Sequence, residues 1–316
     1  MISWVLGRGG LLGSSVERQI ALSGQVWTPS KHFLWDDNSA FENEINQSIK
    51  QFMEFVGTDN WSILWCAGVG VVSSSTDVLD SEVQKIQYLL DRLSKCPSQF
   101  LRQGNLFYAS SAGGVYGGSH FPPFTEQTDP IPVGDYGRQK LHCEKFFSDF
   151  TRSFSISSVI GRIANLYGPG QSRTKGQGLI TTICRSTLLG TPIEIYVPLE
   201  TVRNYIYIED AASLIIGLMN HIANIDEVKT LTKIIASDQN TSLSFLLAEC
   251  ARVFKKRPQI VLTRAHNSNL QTVDLRMESS QNTTTDQHGF TSLAVGIDRI
   301  RCQLLAELQN GNLVSF

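Results

Sequence analysis

The chain has 316 residues, of which 41% are hydrophobic, and its 27 Lys and Arg residues nearly balance its 29 Asp and Glu residues. This length and composition predict one large domain or two unequal lobes around a sizeable core. The formal net charge of -2 excludes a global electrostatic field that would recruit nucleic acid or an anionic membrane, so we expect neither as a partner.

The six cysteines are scattered, with no CxxC pair and no histidine at the spacing of a metal site. This pattern predicts reduced thiols, no disulfide and no bound metal. The start "MISWVLG" lacks the features of a signal peptide, and no apolar run reaches the ~18 residues that a membrane span requires. We therefore expect a cytoplasmic protein.

In the first two thirds of the chain, short apolar runs alternate with longer amphipathic ones, which predicts repeated strand-helix units and an α/β fold with a parallel sheet. The predicted strands are Ser3 to Leu6, Gln25 to Thr28, Ser62 to Ala67, Asn105 to Ser110 and Ser155 to Ile160. The predicted helices are Leu11 to Leu22, Phe41 to Phe55, Asp80 to Leu93 and Tyr136 to Phe150.

The alternation weakens after Gly168, which indicates a smaller C-terminal lobe. We assign residues 1–167 to the dinucleotide-binding domain and residues 168–202 and 237–316 to the lobe. Residues 203–236 are expected to return to the main sheet, through strands at Tyr205 to Ile208 and Thr232 to Ile235. Two loops are predicted, an ordered one over a site at Ser119 to Asp135 and a mobile surface one at Glu278 to Gln287.

Three glycines, Gly7, Gly10 and Gly13, follow the first strand and open the first helix in the run "GRGGLLG". Glycines at such a junction allow a tight turn and let a pyrophosphate approach backbone N–H groups at the helix N-terminus. The run therefore predicts a dinucleotide site.

The residues directly after the second strand predict the cofactor type. An NAD site usually has an acidic residue there for the ribose hydroxyls, but the sequence is "VWTPSKHF", with Lys31, and Arg8 lies in the glycine turn. Two cations suit a 2'-phosphate, so the sequence favours NADP over NAD. The alternative is that Arg8 and Lys31 are solvated surface residues.

Tyr136 and Lys140 stand four residues apart at the head of a predicted helix, in "GDYGRQK", and so project from one face. A nearby ammonium stabilises a phenolate, so the pair can exchange a proton with a substrate hydroxyl or carbonyl. The strand before it ends in "FYASSAGGVYGG", where ligands of open α/β sheets bind.

These segments together resemble the extended short-chain dehydrogenase/reductase family, the NAD(P)-dependent epimerases, dehydratases and reductases of nucleotide sugars. The resemblance rests on ordered motifs along most of the chain: "GRGGLLG", "WCAG", "SSAGGVYG", "FTEQTDPIPVGDYGRQK", "GRIANLYGPGQ" and "VRNYIYIEDAA". It implies a Rossmann-type, doubly wound parallel sheet, a smaller, mixed C-terminal lobe that binds the substrate, a nucleotide-sugar substrate and a homodimer. It also implies a cofactor site formed by Gly7, Arg8, Gly10, Leu11, Leu12, Gly13, Lys31, Ala67, Gly68, Tyr136 and Lys140.

The resemblance also implies roles for the substrate-facing residues. Tyr136 is expected to be the general acid/base. Lys140 is expected to stabilise the phenolate of Tyr136 and to bind the nicotinamide ribose. Asn165 and Arg203 are expected to hold the substrate diphosphate. The alternatives are that Asn165 caps a turn and that Arg203 pairs with Glu209 or Asp210.

The catalytic hydroxyl is expected from Ser111. Ala112 stands where the family commonly has the catalytic Ser or Thr, and we expect the paired glycines after it to form a bulge that restores the reach of Ser111. Because side chains alternate along a strand, Ser110 is expected to point the other way. Glu126 and Asp210 are expected to be structural.

One departure from the family pattern restricts which reactions the chain can catalyse. Its 4,6-dehydratases have an Asp-Glu pair where this chain has Ala112 to Gly114, which disfavours dehydration. Hydride chemistry remains, and we place an epimerase that works through a transient keto sugar ahead of an NADPH-dependent 4-keto-sugar reductase. A third alternative is a dinucleotide-binding sensor or scaffold without turnover.

Overall fold

The computed structural model describes residues 1–68, 74–171, 178–225, 227–263, 272–280 and 289–311. The predicted loop at Glu278 to Gln287 lies outside these residues except for its first three positions. The strands in the described residues are β1 (Ile2–Leu6), β2 (Gln25–Trp27), β3 (Trp61–Trp65), β4 (Gly104–Ser111), β5 (Ser157–Ile163), β6 (Asn165–Tyr167), β7 (Ile193–Ile195), β8 (Val202–Tyr207), β9 (Thr230–Ile235), β10 (Asn240–Ser242), β11 (Ile260–Leu262) and β12 (Asp274–Leu275). The helices there are α1 (Leu11–Ser23), α2 (Asn38–Val56), α3 (Thr76–Ser94), α4 (Ser98–Arg102), α5 (Ala112–Val115), α6 (Asp135–Phe154), α7 (Leu179–Leu189), α8 (Ile208–Ala223), α9 (Leu243–Phe254) and α10 (Leu293–Gln309).

A six-stranded parallel sheet forms the centre of the fold, in the order β2-β1-β3-β4-β5-β9. Helices cover both of its faces, which the alternation along β1 shows. Trp4 and Leu6 pack into the core under α2, α3 and α6, whereas Val5 packs into the core that includes residues of α1 and α8. The predicted α/β fold with a doubly wound parallel sheet is confirmed.

The carboxyl ends of the central strands are staggered. Leu6 and Trp65, the last residues of β1 and β3, stand in one row with Tyr108 of β4. From that row β4 continues for three more residues to Ser111, which pairs with Ile163 at the end of β5. At ~3.3 Å per residue this is a step of about 10 Å. The step leaves a recess above β1 and β3 that is walled by the ends of β4 and β5.

A smaller sheet lies beyond this edge, with β8 paired to β6, β10 and β12. The prediction that Tyr205 to Ile208 returns to the main sheet is therefore wrong. Instead the chain returns through α8, which packs against α1, and then through β9, which pairs with β5. The strand expected at Thr232 to Ile235 is confirmed at the edge of the main sheet, while the exact division into two lobes stays a prediction.

Hydrogen bonds of two of its own side chains order the loop between Ser119 and α6. The Ser119 hydroxyl donates to the Asp129 carbonyl at 2.7 Å and accepts from the Ile131 N–H at 3.0 Å. The Glu126 carboxylate accepts from the Ile234 N–H at 2.9 Å and from the Ser279 hydroxyl at 2.6 Å. Burial opposes ionisation of Glu126, but these hydrogen bonds outweigh it and lower its pKa. As predicted, Glu126 is a loop-ordering carboxylate.

The first glycines bring α1 unusually close to β1 and β3. Gly7 has a φ of +91°, and a Cβ there would lie 2.5 Å from the Ala67 backbone nitrogen. A Cβ on Gly13 would lie 2.2 Å from the Gly7 carbonyl oxygen. Both clashes involve backbone atoms, which cannot rotate away, so the turn and the helix depend on the missing side chains. No helix in the described part of the chain is both long and apolar enough to span a membrane.

We predict that Gly13→Ala lowers the free energy of unfolding by about 1–3 kcal/mol, because α1 must move away from the Gly7 carbonyl. The matched control is Gly9→Ala, since an ideal Cβ at Gly9 meets no described atom within 4 Å. Denaturant unfolding of both variants checks this, and equal stability of the two would contradict the packing argument.

Candidate active site

A cleft of about 680 Å³ occupies the recess above β1 and β3 and continues to the smaller sheet. It brings together ten of the residues predicted for the site: Gly10, Leu11, Leu12, Ala67, Gly68, Ser111, Tyr136, Lys140, Asn165 and Arg203. The other four, Gly7, Arg8, Gly13 and Lys31, are not among the residues that line it. The loop from Ser119 to Asp135, expected over the site, contributes none of the lining residues.

The N-terminus of α1 opens into the cleft at Gly10 and Leu11. Gly10 is the N-cap, and no side chain in the described residues caps the first turn. The free N–H groups and the helix dipole favour an anion there. Because a pyrophosphate needs this kind of backbone approach, the residues present fit a dinucleotide.

The two cations predicted to face a 2'-phosphate lie outside the cleft. The Arg8 side chain is bound to the Glu17 carboxylate, with Nε 3.1 Å from the oxygen, and Lys31 is exposed. Arg8 therefore has a carboxylate partner within the protein, a contact that the sequence did not indicate.

The two serines at the end of β4 both line the cleft, but their hydroxyls have different partners. Ser110 is buried, and its hydroxyl donates to Glu144 at 2.5 Å. Glu144 is in turn bound by Arg162, with Nη2 2.7 Å from its carboxylate. Ser111 lines the cleft, and its Oγ accepts from the Gly114 N–H at 3.2 Å. This arrangement leaves Ser111 as the serine available to a ligand.

The glycines after Ser111 do not form the expected bulge. They lie in α5, a single helical turn for which Ser111 is the N-cap. A Cβ on Gly114 would lie 2.9 Å from Cε1 of Tyr136 and 3.3 Å from Oγ of Ser111. The missing side chain lets the Tyr136 ring and the Ser111 hydroxyl both pack against Gly114. The glycine therefore allows close packing and does not add a residue to the strand.

Lys140 is a buried residue whose side chain lines the cleft. Its Nζ lies 2.8 Å from Oε1 of Glu82 and 3.5 Å from the Ala109 carbonyl oxygen, and it is 5.6 Å from the centre of the Tyr136 ring. Burial alone would lower the pKa of Lys140, but the Glu82 carboxylate outweighs burial and raises it. Lys140 therefore stays an ammonium beside Tyr136.

Glu82 is a residue of this site that sequence reasoning missed. It stands on α3, 58 positions before Lys140, and belongs to none of the recognised motifs. Tyr205 and Gln171 line the cleft without having been singled out, although both lie within the quoted motifs "VRNYIYIEDAA" and "GRIANLYGPGQ". Glu82 had no such local pattern, because it reaches Lys140 from a separate helix.

The far end of the cleft is formed by the smaller sheet. Asn165 donates from Nδ2 to the Asn204 carbonyl at 3.0 Å, and Arg203 donates from Nη1 to the Val202 carbonyl at 2.8 Å. Among the described residues no carboxylate forms an ion pair with Arg203. Burial lowers the pKa of Arg203 and outweighs the opposing effect of the nearby Asp274 carboxylate. A guanidinium without an ion-pair partner among these residues attracts an anion such as a phosphate.

The alternative pairings of Arg203 are not observed. Glu209 is bound by Arg299 at 2.9 Å, and Asp210 accepts from the Thr291 N–H at 2.7 Å and from its hydroxyl at 2.9 Å. Asp210 is thus structural, as predicted. In the described ranges no group of three His, Cys, Asp or Glu residues is placed to hold a metal ion.

The profile of the NAD dependent epimerase/dehydratase family matches residues 4–232. The chain belongs to this family. The prediction of an enzyme of the extended short-chain dehydrogenase/reductase type, made from the motifs, is confirmed, and the matched region includes the glycine turn, Ser111, Tyr136, Lys140 and Arg203.

Among curated proteins, this chain is similar to dTDP-4-dehydro-6-deoxyglucose reductase of Escherichia coli. The two are 28% identical over 223 residues, which is 65% of this chain and 68% of the reductase. Three further curated relatives are matched over 34%, 40% and 41% of their lengths.

Solved structures show the same fold at lower identity. A UDP-glucose-4-epimerase from Stenotrophomonas maltophila, with bound NAD and formylated UDP-arabinopyranose, has a TM-score of 0.77 and 17% identity, covering 98% of this chain and 99% of that one. MoeE5 in complex with UDP-glucuronic acid and NAD has a TM-score of 0.74 and 21% identity, covering 98% of this chain and 100% of that one.

We predict that Gly114→Ala lowers kcat at least about tenfold, because the new methyl group displaces the Tyr136 ring from its position near the Ser111 hydroxyl. The matched control is Gly113→Ala, whose nearest neighbour would be Cδ1 of Leu275 at 4.0 Å. Steady-state kinetics of the two variants, with circular dichroism as a check of folding, test this. Equal kcat values would contradict the proposed packing.

Proposed function

We propose that this family member is an NAD(P)-dependent epimerase of a nucleotide-linked sugar that works by hydride transfer through a transient keto intermediate. The observation that carries the proposal is the cleft itself. Ser111, Tyr136 and the Lys140 ammonium line the cleft together with Gly10 of the glycine turn, and Arg203, which has no ion-pair partner among the described residues, lines its other end. One end suits redox chemistry and the other suits a diphosphate.

The roles of the side chains follow from their chemistry. Tyr136 removes the proton of a sugar hydroxyl and returns it after the sugar has turned, and Ser111 donates a hydrogen bond to the same oxygen. Lys140 stabilises the phenolate and binds the nicotinamide ribose. Arg203 and Asn165 hold the diphosphate. The bound dinucleotide supplies the acceptor and donor of the hydride.

A second candidate is an NADPH-dependent 4-keto nucleotide-sugar reductase. It is favoured by the similarity to the Escherichia coli reductase, which is matched over 65% of this chain. The absence of an acidic residue directly after β2, in "TPSK", also suits NADPH. Dehydration is disfavoured because Ala112, Gly113 and Gly114 offer no acid or base beside Ser111. A sensor or scaffold without turnover would not need the Tyr136–Lys140 pair.

The two candidates are separated by the fate of the cofactor. Purified protein is incubated with UDP- and dTDP-linked hexoses without added reductant, and separately with 4-keto nucleotide sugars and NADPH. An epimerase produces an isomer without net consumption of cofactor, whereas a reductase consumes one NADPH per sugar. A protein that binds a dinucleotide and turns over none of these substrates would contradict both candidates.

We predict that Tyr136→Phe lowers turnover at least about 100-fold in whichever reaction is found, because the variant has no proton to exchange. Tyr196→Phe is the control, since Tyr196 is exposed, bonds to Glu194 and does not line the cleft. Product formation measured by anion-exchange chromatography checks both variants. Turnover retained in Tyr136→Phe would show that another group transfers the proton.

The preference for NADP belongs to this proposal as well. We expect Arg8 to exchange its Glu17 partner for the 2'-phosphate, so Arg8→Ala should weaken NADPH binding about tenfold and leave NADH binding unchanged. Arg18→Ala, which removes an exposed cation of α1, is the control. Titration calorimetry measures the six affinities of the wild type and the two variants for NADPH and NADH, and an equal loss for the two cofactors in Arg8→Ala would contradict a 2'-phosphate contact.

The homodimer and the cytoplasmic location stay predictions of the same proposal. Light scattering of the purified protein measures the first, and fractionation of cells measures the second.

A further inference from the structure

We propose that Thr201 is a specificity-determining residue whose hydroxyl hydrogen-bonds the nucleoside of the sugar nucleotide. This inference rests on the proposed function, in which Arg203 holds the diphosphate of that substrate.

Alternate residues of one extended segment line the cleft. Thr201, directly before β8, and Arg203 and Tyr205 within it are lining residues, whereas the residues between them are not. Successive side chains of an extended segment point to opposite sides. The side chains of these three residues therefore face the cleft in one row.

The row runs outward from the serine of the site. Ser111 stands opposite the last residue of β5, and Asn165, two residues after that strand, pairs with Tyr205. Tyr205 is therefore the member of the row nearest to Ser111, and Arg203 and then Thr201 follow, each about 7 Å further along the segment. With the sugar towards Ser111 and the diphosphate on Arg203, Thr201 lies on the side of the nucleoside.

The Thr201 hydroxyl has no hydrogen-bond partner in the described part of the chain. Its Oγ1 is buried, and the residue as a whole is only 4% exposed. The backbone groups of Thr201 are already used, since its N–H donates to the Pro198 carbonyl at 3.1 Å and its carbonyl accepts from the Leu243 N–H at 2.9 Å. Buried hydroxyls are normally paired, because an unpaired one loses its hydrogen bonds to water without replacement.

A ligand in the cleft can supply the missing partner. Thr201 lines the cleft, so a bound molecule comes into contact with its side chain. Rotation of χ1 between staggered positions is enough to turn the hydroxyl towards that molecule. The unpaired hydroxyl is therefore explained by binding, whereas the contacts within the described residues leave it without a role.

The surroundings of Thr201 suit a neutral group. Val197 and Leu243 also line the cleft, and the described lining residues include two cations, Lys140 and Arg203, but no Asp or Glu. A phosphate is thus held by a cation, while a ribose or base meets apolar side chains and one hydroxyl. Small-molecule sites typically have this composition, in which a few polar groups fix the orientation of the ligand.

The contact has a consequence for substrate choice. The hydroxyl can bond to the 2'-hydroxyl of the ribose or to a carbonyl of the base, and both are oxygens of the nucleoside. A contact with the 2'-hydroxyl selects UDP-linked over dTDP-linked sugars, because the deoxyribose of dTDP lacks that group.

The test measures binding of UDP, 2'-deoxy-UDP and pyrophosphate to the wild type and to Thr201→Val by titration calorimetry. Each titration contains excess NAD, so that the dinucleotide rather than the titrant occupies the N-terminus of α1. Valine has the shape of threonine but no hydroxyl. We expect Thr201→Val to bind UDP about five- to tenfold more weakly and pyrophosphate with unchanged affinity. A loss for UDP alone identifies the 2'-hydroxyl as the partner, and an equal loss for both nucleotides identifies the base or the 3'-hydroxyl.

Two variants serve as controls. Thr201→Ser keeps the hydroxyl and should bind UDP like the wild type. Thr187→Val should leave all affinities unchanged, since Thr187 is buried, donates to the Ile183 carbonyl at 2.7 Å and does not line the cleft. A folded Thr201→Val that binds UDP as tightly as the wild type overturns the proposal, as does an equal loss in Thr187→Val.

Thermal unfolding without nucleotide separates binding from a structural role. Because the hydroxyl has no partner among the described residues, Thr201→Val should have the same Tm as the wild type or a higher one. A Tm several degrees lower would show that the hydroxyl supports the fold and would overturn the proposal. A wild type that binds UDP no more tightly than pyrophosphate would overturn the role of Thr201 alone, whereas a wild type that binds neither would contradict the proposed function as well.

Discussion

The stagger of the parallel strands determines where the site lies. Because β1 and β3 end about 10 Å before β4 and β5, at ~3.3 Å per residue, a dinucleotide can lie above the short strands while Ser111 faces it from the long one. The same step brings the N-terminus of α1 to the floor of the recess. The close approach at Gly7 and Gly13 then leaves backbone N–H groups, rather than side chains, facing a ligand.

Two largely buried ion pairs lie near the end of β4, and they bind different side chains. Glu144 is bound by Arg162 and accepts from the Ser110 hydroxyl. Glu82 binds Lys140, whose side chain also lines the cleft. Removing one member of a buried pair typically costs about 3–5 kcal/mol, since the other charge is left unpaired. The first pair therefore engages the Ser110 hydroxyl and leaves that of Ser111 for a ligand, and the second holds the Lys140 ammonium near the Tyr136 ring.

The sequence was sufficient for features encoded locally and insufficient for those that depend on distant packing. Periodicity predicted the strands and helices of the main sheet, and side-chain alternation along β4 separated Ser110 from Ser111. The pairing of β8 was wrong because strand character does not tell which sheet a strand joins. The helical turn after Ser111 was expected as a bulge, since both conformations suit Gly113 and Gly114. Glu82 had no signal, because its partner is 58 positions away.

In the mechanism that we propose, hydride transfer to or from a sugar carbon takes place beside Tyr136. A crystal structure of Tyr136→Phe with NAD and a UDP-linked hexose tests this arrangement. We expect the nicotinamide C4 at about 3–3.5 Å from a ring carbon of the sugar, with the diphosphate of the sugar nucleotide on Arg203. A dinucleotide bound away from the α1 N-terminus, or a sugar whose carbons lie out of reach of C4, would contradict it.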